Sequence, residues 1–494
     1  MTITASIRHA EAGPELVLQG EGKLPDAAVL AGRRARVDRS PAAEGTGGWT
    51  AALPLRSARG GERELPLPTG DYRLRLDGAD AGEVAAASIA DTMTSTMRVA
   101  LRDGTLTVRP PIDAAYDSAE AQAALERRYA TRPGGELENA VFFESFYGRI
   151  AGCNPRAIDR ELARAAPGVI RYWSVVDLSV AVPDGAVAVV EGSPQWWRAR
   201  ASARLLVVND WLRRRYVRRP GQRVLQTWHG TPLKRLALHR PGFDLRRMLA
   251  VVRESRRWDV LLAQNEYGAR TLRAAYAFLR RPIWVEGYPR NDELSAGTGS
   301  RQQEIRSLLG IGAEEHVLLY APTWRDDREQ IVDFLDLPAF AEATGSVVLV
   351  RGHSRTLLPG VDLSVDAPGP RVIDVTGHSD TSELLMIADA LITDYSSVMF
   401  DFTATGKPIF FFTPDLEHYR GRLRGFYFDL AAHAPGPLAT TQEELTRLVA
   451  DETVPERFAG RYATWRARVN ARDDGRAAER VVARILDQRF VDRD

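Results

Sequence analysis

Hydrophobic positions change their period along this chain, and each change marks a different kind of structure. Up to about residue 112, apolar and polar residues alternate in short runs (ELVLQG, RARVD, YRLRLDG, TLTVRP) separated by Gly, Pro and Asp. Period-two alternation with such punctuation predicts a small antiparallel β domain. It holds no cluster of catalytic residue types and reads as an accessory or docking module. Residues 117 to 128 predict a connecting helix. Beyond them, unbroken apolar, β-branched runs (AVFFES, VIRYWSVV, AVAVVEG, RLLVVND, RVLQTWHG, WDVLLAQN, PIWVEGYP) alternate with helical stretches, clearest at 155 to 166 and 267 to 279. Strands buried on both faces read this way, so the pattern predicts a parallel sheet covered by helices. The small-residue segment SAGTGS, 295 to 300, predicts a linker. The alternation then restarts with HVLLYAPTW, SVVLVRGH, RVIDVTG, ALITDYSS and PIFFFTP. An Arg-rich stretch from 455 to 488 predicts one long final helix. The expected fold class is α/β: an accessory β-rich domain over 1–112, then two doubly wound Rossmann-type lobes over 113–295 and 296–494. Ligands of such sheets sit outside the carboxyl ends of the strands.

Composition narrows the function classes. The formal net charge is +1, which gives no global case for nucleic-acid binding. The charge is uneven, however. From Arg198 to Arg257 basic side chains far outnumber the acids Asp210, Asp244 and Glu254, a local patch suited to phosphates of a substrate or of a membrane surface. The lone cysteine, Cys153, excludes an intrachain disulfide and reads as a small core thiol. No run reaches the ~18 apolar residues of a spanning helix, and the N-terminus lacks a secretory pattern. A cytoplasmic chain with peripheral membrane contact is expected.

Candidate chemistry falls directly after the strands. VLQTW runs into His229, Gly230, Thr231, Pro232, Leu233 and Lys234, where Gly230 permits a tight turn and Pro232 suits a helix start. That puts His229 at the cleft edge as a general base, since an imidazole titrates near neutral pH. Arg290, after PIWVEG, reads either as a phosphate ligand across the cleft or as a surface arginine beside an Asn291 cap. Pro322 and Thr323 follow another strand. Arg351, Gly352 and His353 follow the next, with the glycine letting two cationic side chains converge on one anion. Asp394, Ser396 and Ser397 precede a helix start that offers hydroxyls, backbone N–H groups and the positive end of a dipole. Asp401, one turn in, reads as an acceptor from a sugar or polyol hydroxyl or as a dipole-stabilising acid. His9, His239, His316, His378, His418 and His433 lack ligand spacing, so no metal or cofactor is expected.

These residues carry a resemblance. FESFYGR (143–149), NPRAI (154–158), QTWHGTPLKRL (226–236), QNEY (264–267), GYPRND (287–292), YAPTWRDD (320–327), RGH (351–353), LITDYSSVMFDF (391–402), FFTPDLEHYR (411–420) and RGFYFDL (424–430) run in order over about residues 140 to 440. The chain resembles the CDP-glycerol glycerophosphotransferase family of teichoic acid primases and polymerases. The resemblance implies a GT-B-like two-lobed fold and transfer of a polyol phosphate from CDP-glycerol or another CDP-polyol, with release of CMP. The acceptor would be a hydroxyl of a lipid-linked teichoic-acid-like or capsular polymer at the inner membrane face. It further implies donor contacts from the segment His229 to Leu233, with His229 as base. Arg290, Pro322, Thr323, Arg351, Gly352, His353, Ser396, Ser397 and Asp401 would line the donor pocket, and His229 and His353 are the catalytic candidates. The segment after His353 is Ser354-Arg355-Thr356, where family members often carry further basic residues. Leu233 to Trp258 mixes Leu, Met, Val and Trp with arginines, as a membrane-surface segment or a basic cleft wall would. Rival readings are a ribitol-phosphate transferase, a nucleotide-sugar glycosyltransferase on the same fold, and a non-catalytic scaffold.

Overall fold

The computed structural model describes residues 3–33, 35–38, 43–45, 48–58, 64–80, 88–130, 136–296, 299–323, 334–352, 371–378, 380–423 and 425–493. The chain divides into two compact units: residues 1–136 with 146–151 and 172–202, and residues 137–145 with 152–171 and 203–494.

The first unit is built on antiparallel sheets. Ile3–Ala10 pairs with Gly13–Gly20, which pairs in turn with Gly48–Pro54. A second sheet runs in the order Ile89–Met93, Arg98–Arg102, Thr105–Arg109, Gly70–Leu76, Ala28–Gly32, Arg36–Asp38. Alternation sends Leu16, Leu18, Trp49, Leu53, Tyr72, Leu74, Val99 and Leu106 into one apolar core. The same unit holds a parallel pairing of residues 172–175 with Val187–Val190 and the helix Pro194–Ser202.

The second unit carries two groups of parallel strands. The first group, in spatial and chain order, is β1 (Glu138–Glu144), β2 (Ala203–Val208), β3 (Arg223–Gln226), β4 (Val260–Ala263) and β5 (Ile283–Val285). Helices α1 (Cys153–Ala165), α2 (Leu245–Ser255) and α3 (Glu266–Ala275) belong with it. The second sheet comprises β6 (Val317–Ala321), β7 (Val347–Val350), β8 (Val372–Asp374), β9 (Ala390–Thr393), β10 (Ile409–Phe412) and β11 (Leu438–Ala439), ordered β8-β7-β6-β9-β10-β11. That is the doubly wound order, with its switch point between β6 and β9. Every residue of β6, β7, β9 and β10 is buried, which is why they appear in sequence as unbroken apolar runs.

Two expectations change here. The stretch 455–488 is not one helix but α5 (Val454–Val469) and α6 (Ala477–Asp487). The break falls at Asp473-Asp474-Gly475, where Gly475 takes φ +85°. The small-residue segment 295–300 is not a free linker, because the helices Asp292–Ala296 and Gly299–Leu308 cover its described residues. Ser295 Oγ donates to the Asp473 carbonyl at 2.8 Å, and Asp292 accepts from the Ala477 and Ala478 amides that open α6. Among the described residues no helix is long and apolar enough to cross a membrane.

Candidate functional site

β3 ends at Gln226, and the loop after it holds His229 in a fixed pose. Trp228 sits at φ +53°, an uncommon conformation for a bulky residue, and its ring stacks on the His229 imidazole at 4.7 Å between centroids. The buried Gln226 side chain spans the two loops that flank the imidazole. Its Oε1 accepts from the Trp228 amide at 2.9 Å and its Nε2 donates to the Asp210 carbonyl at 2.9 Å. His229 Nδ1 lies 2.6 Å from the carbonyl oxygen of Asn209. A carbonyl only accepts, so Nδ1 carries the hydrogen, and in the neutral ring Nε2 is the basic nitrogen. Burial pushes the imidazole below its ordinary pKa, against the opposing pull of Asp210, so the neutral form prevails near pH 7.

The two sheets meet at this loop. A Cβ on Gly230 would stand 2.6 Å from Ser397 Oγ, so only glycine admits Ser397, which follows β9, so close to the histidine loop. Ser397 opens the helix α4 (Val398–Phe402) without a side-chain capping bond, while Ser396 Oγ accepts from the Val398 amide at 3.4 Å. At five residues α4 is little more than one turn, so its macrodipole is small and the donors here are mainly hydroxyls and amides. At the switch point the Asp394 carboxylate accepts from the Thr323 amide at 2.8 and 3.0 Å, fixing the loop of Pro322 and Thr323 to the end of β9.

Arg351, at the end of β7, donates to the carbonyls of Val375 (3.2 Å) and His378 (3.1 Å) and has no carboxylate partner among the described residues. Burial lowers its pKa to about 10. Asp380 and Asp374 pull the other way without a direct ion pair, so the guanidinium, hydrogen-bonded to neutral carbonyls, is suited to an anionic ligand. The Gly352 amide donates to Thr376 Oγ1 at 2.9 Å. His353 lies outside the described residues. His378 is engaged by Glu383 at 2.7 Å and belongs to the scaffold.

Other residues of the segment predicted to contact a donor have side chains turned inward or bonded within the protein. Thr231 Oγ1 donates to Gln264 Oε1 at 2.5 Å, and the Pro232 carbonyl accepts from Tyr267 Oη at 2.7 Å. Leu233 is 1% exposed, packed in an apolar core with Tyr395 and Phe426. Lys234 forms an antiparallel bridge with Phe426.

Arg290 is not a surface arginine, and its guanidinium is already engaged within the protein. Its guanidinium donates to Asp401 Oδ2 (2.7 Å), Cys153 Sγ (2.9 Å) and the His229 carbonyl (3.1 Å). Burial opposes its charge, but Asp401 beside it more than restores it, and the net shift is upward. Asp401, with its other oxygen on Asn291 Nδ2 at 3.1 Å, belongs to this ion pair rather than to a dipole or a polyol. Cys153 is likewise half-buried in a polar cluster, not a core thiol.

The reading of the sequence missed the hub beneath the site. Asp473 accepts from Gln264 (2.7 Å), Asn470 (2.8 Å), Asn291 (3.2 Å) and the Tyr288 amide (2.9 Å), joining β4, the loop after β5 and the break between α5 and α6. The Asp-Asp-Gly turn was the available signal, because it punctuates any helix it interrupts. Gly287 makes the hub possible: it sits at φ +82°, and a Cβ there would lie 2.4 Å from the Arg472 carbonyl oxygen. Gly287→Ala is expected to destabilise the fold by about 1–3 kcal/mol, read as a lowered thermal midpoint. An unchanged midpoint would show that the hub yields without cost.

Two groups of parallel strands, with the loop of an anchored imidazole against Ser397 at the switch point of the second, define an α/β protein of the class that binds ligands at the carboxyl ends of its strands. Comparison with known proteins makes this particular: residues 131–487 match the family model for CDP-Glycerol:Poly(glycerophosphate) glycerophosphotransferase, and the chain belongs to that transferase family. It is 36% identical over 365 residues to a teichoic acid poly(glycerol phosphate) polymerase of Bacillus subtilis (strain 168), covering 70% of this chain and 48% of that protein. It is 33% identical over 384 residues to a teichoic acid glycerol-phosphate transferase of Staphylococcus aureus (strain NCTC 8325 / PS 47), covering 71% of this chain and 93% of that one. The chain thus spans about half the length of the first relative and nearly all of the second. A solved structure of the wall teichoic acid polymerase TagF, a variant soaked with CDPG, is similar at a TM-score of 0.70 and 30% identity, covering 75% of this chain and 94% of that one.

Proposed function

We propose that this chain transfers glycerol phosphate from CDP-glycerol to a hydroxyl of a lipid-linked, teichoic-acid-like polymer, releasing CMP. It would act at the inner face of a membrane, on a GT-B-like pair of lobes with an accessory β-rich module. One observation carries the reading. A neutral His229, with Nδ1 fixed on the Asn209 carbonyl, stands on a loop that touches Ser397 at the strand ends of the second sheet. The acceptor oxygen attacks the phosphorus that bears glycerol, and its proton passes to His229 Nε2. The bond from that phosphorus to the bridging oxygen breaks, CMP leaves with the electron pair, and the imidazolium returns its proton to water. Arg351, His353, Ser396 and Ser397 would hold the diphosphate, with Pro322, Thr323 and Gly352 lining the donor pocket. In phosphoryl transfer such positioning and charge stabilisation supply most of the rate. Glycerol rather than ribitol follows the names of the relatives above.

The test is a donor panel of CDP-glycerol, CDP-ribitol and UDP-glucose with a synthetic lipid-linked acceptor, scored by nucleotide released and product mass. Acceptor-dependent CMP from CDP-glycerol is the expected result. Preference for CDP-ribitol would move the chain to the ribitol enzymes, and UDP release would make it a glycosyltransferase.

A further inference from the structure

We propose that an arginine-lined cavity beside the histidine loop binds the phosphodiester backbone of the growing polymer. This rests on the glycerophosphotransferase reading above. The cavity, about 800 Å³, is lined by Arg214, Arg215, Arg246, Arg253 and Arg257 against one carboxylate, Glu254. That carboxylate is used internally: Oε1 accepts from the Leu212 amide (2.8 Å) and Trp258 Nε1 (3.2 Å), and Oε2 meets Arg257 at 2.9 Å. The side chains of Arg215, Arg246 and Arg253 are exposed and make no hydrogen bond or ion pair to any described residue.

The arrangement suits a repeating anion. On α2, positions 246, 249, 250 and 253 recur at three- and four-residue spacing, so Arg246, Leu249, Ala250 and Arg253 form one stripe, and all four line the cavity. A single phosphate needs one such guanidinium. A row of separated cations matches a chain with one phosphate per repeat, each able to take a forked pair of hydrogen bonds from arginine. Leu249 and Trp211 offer apolar surface to the polyol carbons between phosphates. The cavity wall also leads to the reacting end. Trp211 is two residues beyond Asn209, whose carbonyl orients His229, so a polymer lying along α2 would present its terminal hydroxyl toward the base.

The test compares water-soluble glycerol-phosphate acceptors, free of lipid, that carry either one phosphodiester or several, using the full chain and CDP-glycerol. Wild-type protein is expected to show a lower KM for the longer acceptor, weakening as salt rises. The triple variant Arg215→Gln, Arg246→Gln, Arg253→Gln should lose that preference, with KM for the long acceptor rising on the order of tenfold. Its kcat with the short acceptor and its calorimetric affinity for CDP-glycerol should stay at wild-type values. All three side chains are exposed, so folding is not at stake, and an unchanged thermal midpoint checks this. A length preference that survives the triple substitution overturns the proposal. So does an unaltered preference accompanied by lost binding to phosphatidylglycerol vesicles, which would assign the cavity to lipid headgroups. Wild-type protein that makes no product with these acceptors or with the lipid-linked acceptor sinks the glycerophosphotransferase reading itself, a failure distinct from unchanged discrimination by the variant.

Discussion

His229→Ala lowers kcat by about 10²–10⁴-fold, the range for loss of a positioned general base, while CDP-glycerol still binds. Acceptor-dependent CMP release gives the rate, and calorimetry gives the donor affinity. Turnover at the wild-type level would remove the imidazole from the chemistry. The pH profile adds an independent check. A base works unprotonated, so activity falls as pH drops through its pKa. Burial holds His229 below 6.5. The acid limb of kcat/KM should therefore bend below pH 6.5 and stay flat above it until another group titrates. Asp210 pulls the other way, so Asp210→Asn should move that limb to still lower pH.

Asp401→Ala is the substitution expected to cost the fold most, about 3–5 kcal/mol, because it leaves the Arg290 guanidinium buried without its carboxylate. The side chains of the pair are 13% and 7% exposed, so solvent cannot readily take over for the lost partner. Urea unfolding followed by tryptophan fluorescence measures the loss. Adding Arg290→Leu to Asp401→Ala should cost less than the two single losses summed, because the stranded charge disappears with its partner. Additive losses would mean that each side chain acts through its other contacts. Activity should fall with stability, since Arg290 also donates to the His229 carbonyl and so ties the ion pair to the histidine loop.

The buried strands and the position of the polar residues behind them were legible because both follow from short-range pattern. A strand covered on both faces must be apolar throughout, so β6, β7, β9 and β10 announce themselves. Residues that leave such a strand at its carboxyl end reach the ligand side of the sheet whatever their neighbours, which is why His229, Arg351 and Ser397 could be singled out in advance. The same reasoning could not say which polar side chains would spend themselves on one another. Arg290, Asp401 and Cys153 come from segments 111 or more residues apart, and only packing turned them from separate strand-end groups into one buried cluster. Asp473 was missed for the same reason: apart from its neighbour Asn470, its partners Gln264, Tyr288 and Asn291 come from two distant segments, and no local spacing encodes them. The sequence alone thus determined the parallel α/β framework, the family and the strand-end loop that carries His229. The tertiary structure decided the tautomer and lowered basicity of His229, the inward turn of Thr231 and Leu233, and the gathering of α2 arginines into one cavity. These depend on burial and on contacts between segments remote in the chain, which a linear pattern does not contain.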